Sequence, residues 1–234
     1  MRLLLISNST NAGEPYLHHA KGQIETFLRG TDKVLFIPYA SVTNTFNDYE
    51  KKVQKKFSEI GIEVDSLHHH RDVKKRVREA QGIVVGGGNT FRLLKMIQQL
   101  DIIEALRYRV LDGTPYVGWS AGANVACPTI CTTNDMPIVE PENFNAINLV
   151  RFQINPHYID VNPENHAGET RDERIEEFIF MDPYSYVVGL REGSMLLMEG
   201  GAINLLGNKP AKIFKYGSMP WEVKPGDDLD FLFE

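Results

Sequence analysis

A chain of 234 residues, 42% of them hydrophobic, can bury a sizeable core, and no Pro/Ser-rich or charged linker divides it, so we expect one domain over residues 1–234. The formal net charge is −6, and basic runs such as "KKVQKK" are balanced by acidic residues elsewhere, which argues against nucleic acid as a partner. No apolar run is long enough to cross a membrane, and two cysteines, Cys127 and Cys131, are too few for a disulfide framework, which points to the cytoplasm. A zinc site on those cysteines would need two more ligands, so both read as free thiols.

The opening "MRLLLISNST" is too short for a signal-peptide core and reads as a first buried strand. Further strand-length runs follow: "KVLFIPY", "GIEVDSL", "GIVVGGG", "PYVGWS", "RFQINP" and "SYVVGL". They are mostly continuous instead of alternating, the mark of strands covered on both faces. Segments around 15–29, 45–60, 90–100, 101–112 and 170–181 carry amphipathic helical spacing, and the last opens on a Thr170/Glu173 capping-box pattern. Strand and helix alternate, so the predicted fold is a doubly wound, mostly parallel α/β sheet. After residue 193, "SMLLMEG", "AINLLG" and "AKIFKYG" are broken by Gly and Asn-Lys-Pro and predict a small C-terminal antiparallel meander.

Ligands gather outside the carboxyl ends of strands in such sheets. "GWSAG" at 118–122 fits the nucleophile-elbow pattern, with a strand before it and a helix predicted after it. Its glycines let neighbouring backbone approach, and Ser120 lies where the amides of a helix N-terminus face a developing oxyanion. His157, directly after "INP", follows another strand and is the candidate general base. Two acids compete to orient it: Glu192, after "SYVVGL", and Asp135, in "TTNDMPIV". Whichever does not orient the base is free to hold a substrate ammonium group. The glycine run 86–88 lacks the Lys-Ser/Thr of a P-loop, and Phe91 stands where a dinucleotide fingerprint has its third glycine. Its backbone near Gly88 is instead a candidate oxyanion donor beside Ala121. Among the remaining histidines, His18 and His19 fall in the first predicted helix, "HHH" at 68–70 reads as a solvated turn, and His166 lies in a Gly/Asn-rich loop.

Taken together, "LLLISNST", "FIPYA", "VVGGGNTF", "GWSAGAN", "CPTICTTNDMPIV", "INPH" and "GETRDERI" resemble the S51 family of serine peptidases nearly end to end. The resemblance implies a fold related to class I glutamine amidotransferases, whose elbow carries cysteine where this chain has Ser120. It implies hydrolysis of dipeptides that begin with aspartate, with Ser120 as nucleophile and His157 as base, and no metal or cofactor. It leaves Asp135 and Glu192 both open as the third member. An acidic substrate side chain needs a cation, and Arg171, just after the capping Thr170, is the candidate; the competing role is a helix-surface pair with Asp172 or Glu176. The rivals are cleavage of β-aspartyl-arginine links as in cyanophycinases, a glutaminase, and a ligand-binding protein without catalysis. The expected partner is a small peptide, and the chain is expected to be a monomer or homodimer. The tail "KPGDDLDFLFE" departs from the family by being longer and more acidic.

Overall fold

The computed structural model describes residues 1–160 and 168–233. The first part of the chain alternates strand and helix: β1 (Leu3–Ile6), α1 (Lys21–Phe27), β2 (Lys33–Ile37), α2 (Phe46–Ser58), β3 (Glu63–Ser66), α3 (Val73–Arg78), β4 (Ile83–Val85), α4 (Thr90–Gln99), α5 (Ile103–Leu111), β5 (Tyr116–Trp119) and α6 (Ala121–Asn124). Then come β6 (Gln153–Tyr158), α7 (Arg171–Met181), β7 (Val187–Arg191), β8 (Met195–Glu199), β9 (Ala202–Leu206), β10 (Ala211–Phe214) and β11 (Trp221–Val223).

The mostly parallel α/β fold class holds, and the strands divide between two sheets. The larger sheet has the order β3-β2-β4-β5-β1-β8-β9, with β8 antiparallel to β1. The smaller has the order β11-β10-β7-β6, with only β6 and β7 parallel. The runs after residue 193 are antiparallel, as expected, but they serve both sheets: β8 and β9 finish the large one, and β10 and β11 finish the small one.

Strands β1, β2, β4 and β5 at the centre of the large sheet each feed two cores, which is why their sequences are almost continuously apolar. Leu3, Leu5, Leu35, Ile37, Ile83, Val85 and Tyr116 face one layer, while Leu4, Ile6, Val34, Phe36, Val84, Val117 and Trp119 face the other. The alternation is the period of two of an extended chain, with both faces covered by helices. Each such side chain, buried fully, contributes roughly 1.5–3 kcal/mol. A smaller cluster of Tyr158, Ile175, Ile179, Val187 and Phe214 seats α7 on the second sheet.

Helix ends follow local chemistry. The Thr170 hydroxyl accepts from the Glu173 amide at 3.1 Å, and the Glu173 carboxylate accepts from the Thr170 amide at 2.6 Å, so the expected capping box starts α7. The first helix is shorter than its periodicity predicts. Leu17 has φ 52° and its amide bonds to Ser9 O at 2.6 Å, which ends any helical ladder before Lys21 and leaves His18 and His19 in the preceding turn. Asp72 caps the unexpected α3 by accepting from the Lys75 amide at 3.0 Å. His166 lies outside the described residues.

Candidate active site

Where β5 meets α6, Ser120 has φ 54° and ψ −114°, a left-handed conformation that costs a non-glycine residue about 1–3 kcal/mol. The neighbouring glycines make it possible. A Cβ on Gly118 would stand 2.3 Å from Gly122 O, and one on Gly122 would stand 2.2 Å from Val85 O. The turn is locked by Ser120 N–H donating to Ile6 O at 3.0 Å.

His157 stands at an irregularity in the β6–β7 pairing and also has a positive φ, 54°. Its amide donates to the Ser7 hydroxyl at 3.0 Å, and that hydroxyl donates to Leu190 O at 2.7 Å. The residue that follows β1 thus ties together the ends of β6 and β7. His157 Nδ1 lies 2.7 Å from Glu192 Oε1, and Nε2 lies 2.9 Å from Ser120 Oγ. A carboxylate at Nδ1 favours the tautomer with the proton there, leaving the Nε2 lone pair to accept from the serine hydroxyl. The His157 and Glu192 side chains are 40% and 45% exposed, so the pair is reached by solvent.

Asp135 occupies the opposite side. Its Oδ2 accepts from the Thr90 amide at 2.7 Å, the Thr90 hydroxyl at 2.6 Å and the Thr133 hydroxyl at 3.3 Å. It makes no bond to His157. The acids that the sequence left in competition are therefore separated in space, and Glu192 is the one on the imidazole.

Ser120, His157, Asp135, Gly88, Tyr16 and Lys52 line a cleft of about 650 Å³. A second cavity of about 640 Å³ between α3 and α5 contains no nucleophile–base pair. In the glycine loop, Gly88 has φ 140°, and a Cβ there would stand 2.3 Å from Ala40 O. A Cβ on Gly87 would lie 3.0 Å from Ser120 Cβ, so this backbone runs against Ser120. The Tyr49 hydroxyl pins the loop by donating to Gly87 O at 3.0 Å. The amides of Gly88 and Ala121 have no hydrogen-bond partner among the described residues.

Arg171 is half-buried at the start of α7. Its Nη1 donates to Asn134 Oδ1, while Asn134 Nδ2 donates to Pro156 O at 2.6 Å. Among the described residues it has no acidic partner, and its Nε is buried without a bond. The helix-surface pair does not form, since Asp172 instead accepts from Tyr158 and from Lys212 Nζ, the latter at 2.5 Å. Burial holds the guanidinium below its ordinary pKa, as for any cation taken from water. Arg171 is not among the residues lining the cleft; it reaches the Asn134–Pro156 network beside Asp135 and His157.

Sequence reasoning missed Ser7, Asn134 and Lys52. Ser7 and Asn134 act through contacts distant in sequence, for which no local pattern exists. Lys52 carried a signal: its place three residues after Tyr49 puts both on one face of α2. Cys127 is buried and Cys131 exposed, both as free thiols. No helix among the described residues is long and apolar enough to cross a membrane.

The model of "Peptidase family S51" matches residues 3–206. A peptidase E from Nostoc is 50% identical over 234 residues, covering 100% of this chain and 97% of its own length. A peptidase E from Shewanella denitrificans is 44% identical over 226 residues, covering 97% of this chain and 96% of its own. In fold, the chain is similar to the crystal structure of a peptidase from an acI-B1 Actinobacterium, with a TM-score of 0.71, 16% identity, and coverage of 97% of this chain and 96% of that one. With a family match over most of its length and full-length relatives at this identity, the chain belongs to peptidase family S51 and is a serine-type peptidase.

Proposed function

We propose that the enzyme is a dipeptidase that removes an N-terminal aspartate from Asp-Xaa dipeptides through an acyl-enzyme on Ser120. The observation that carries this reading is the bonded series Ser120–His157–Glu192, at 2.9 and 2.7 Å, on a cleft that also holds the carboxylate of Asp135. His157 takes the proton of Ser120 as the hydroxyl attacks the carbonyl after the aspartate, and Glu192 steadies the imidazolium that forms. The oxyanion rests on the amides of Gly88 and Ala121. His157 then protonates the leaving amine and activates the water that releases aspartate.

Charge divides the substrate along the cleft. Asp135 receives its ammonium group, and Arg171 answers its side-chain carboxylate through the Asn134 side of the site. Lys52, the cation lining the cleft, lies over the Tyr16 ring at 4.0 Å and takes the carboxylate of the leaving residue. A site with a fixed charge for each end of the substrate favours dipeptides over longer chains, whose termini cannot meet both. The free thiols agree with work in a reducing, cytoplasmic setting.

The test is hydrolysis of Asp-Leu, β-Asp-Arg and glutamine by the wild type and by Ser120→Ala. We expect Asp-Leu alone to be turned over efficiently, and turnover to vanish in Ser120→Ala. Preference for β-Asp-Arg, ammonia from glutamine, or activity retained in the variant would each overturn the proposal.

A further inference from the structure

We propose that Glu50, His68 and His69, joined by Asn47, form a binding site for a divalent transition metal of the zinc class, separate from the peptidase cleft. The triple histidine reads in sequence as a solvated turn. In the fold, Leu67–His69 form a short 3-10 turn after β3, and the turn brings its rings against α2. Each ring finds a partner. His70 Nε2 lies 2.7 Å from Asp65, which also pairs with Arg76, so His70 is committed elsewhere. His68 and His69 face α2 instead.

Four donors converge there. One ligand atom from each of Glu50, His68 and His69 lies within 4.8 Å of the other two. His68 Nε2 is 2.7 Å from Asn47 Oδ1, and His69 Nε2 is 2.7 Å from Glu50 Oε2. Asn47 and Glu50 are three residues apart, hence neighbours on one face of the helix. The donors of a tetrahedral zinc, with bonds of about 2.0–2.2 Å, stand about 3.4 Å apart, so small side-chain rotations suffice to bring these into place. Two imidazoles with two oxygens suit zinc, and the imidazoles disfavour magnesium or calcium.

Support outside the donor set is already present. Ser66 Oγ lies 2.7 Å from His68 Nδ1, and Phe46 packs its ring 5.6 Å from the same imidazole. When the metal takes Nε2 of each neutral imidazole, the ring shifts to its other tautomer: the Nε2 proton leaves to solvent and a proton from solvent returns at Nδ1, so the ring stays neutral. The Ser66 hydroxyl then accepts from Nδ1–H of His68, the outer hydrogen bond that orients a ligating histidine. The Glu50 side chain is 20% exposed and that of His69 49%, which leaves an entry path from solvent. Helix α2 also carries Tyr49 and Lys52 of the cleft, so a metal here would clamp that helix to the end of β3.

Isothermal titration and equilibrium dialysis of the full chain with Zn²⁺ test the proposal. We expect one zinc per chain, with two imidazole nitrogens and oxygen donors in its X-ray absorption spectrum. Glu50→Gln and His69→Gln, with unchanged circular dichroism without metal, should each weaken binding at least about 100-fold, the upper end for loss of even an outer-shell partner. His157→Ala and His18→Gln should bind as the wild type does. Absence of binding, wild-type affinity in Glu50→Gln or His69→Gln, or loss of binding in His157→Ala would overturn it.

Discussion

Replacing Glu192 by glutamine separates the roles of the two acids. The amide has nearly the same shape and its oxygen can still accept from His157 Nδ1, so what disappears is the negative charge beside the imidazolium of the transition state. At a charge separation of about 4 Å, that attraction is worth about 1 kcal/mol in bulk water and about 4 kcal/mol near a protein surface. The Glu192 and His157 side chains are 45% and 40% exposed, which puts this pair between the limits. A loss of about 2–3 kcal/mol corresponds to a fall in kcat of roughly 30- to 150-fold. That is well short of the roughly 10⁴-fold seen when a buried triad acid is neutralised. Steady-state kinetics with Asp-Leu give the number directly. Asp135→Asn, measured alongside, should act mainly by raising KM, because Asp135 bonds to Thr90 and Thr133 and not to the imidazole. A near-normal kcat for Glu192→Gln, or a collapse of kcat for Asp135→Asn alone, would refute the reasoning.

Ser120→Gly should abolish turnover and yet raise Tm by about 2–4 °C, since glycine relieves roughly 1 kcal/mol of the strain at φ 54°; differential scanning calorimetry reads the shift. Lys52→Met keeps the stem over Tyr16 and removes the charge, so KM for Asp-Leu should rise roughly 5- to 30-fold with kcat little changed, the loss of one solvent-reached charge-assisted bond. An Asp-Leu amide substrate should be insensitive to that substitution. Burial pushes the Cys127 thiol up to about 12, so at pH 8 it holds almost no thiolate, and Ellman's reagent should titrate one thiol in the native chain and two after unfolding.

The parts of the site legible in the sequence are those fixed by local backbone chemistry. Gly118 and Gly122 announced the elbow because each stands where a Cβ would strike a carbonyl. His157 was legible as a polar residue closing an apolar strand. The division of strands between two sheets was not, because continuous hydrophobicity reports that β6 and β7 are covered on both faces, and says nothing about which strands they pair with. The same limit hid the choice between Asp135 and Glu192. Both are acids in polar segments, and only the position of β7 beside β6 brings Glu192 to the imidazole. The histidines at 68 and 69 looked solvated because their partners, Asn47 and Glu50, come from a helix about twenty residues earlier.

The Ser7 hydroxyl, shared between the His157 amide and the Leu190 carbonyl, gives the enzyme a built-in alignment gauge. Ser120 belongs to the large sheet, whereas His157 and Glu192 belong to the small one. In the mechanism we propose, proton transfer from Ser120 to His157 therefore depends on the register of the two sheets. One hydrophobic cluster joins Leu3 and Leu5 of the large sheet to Ile154, Val188 and Leu190 of the small one, so a substitution that loosens this shared packing should lower turnover together with Tm.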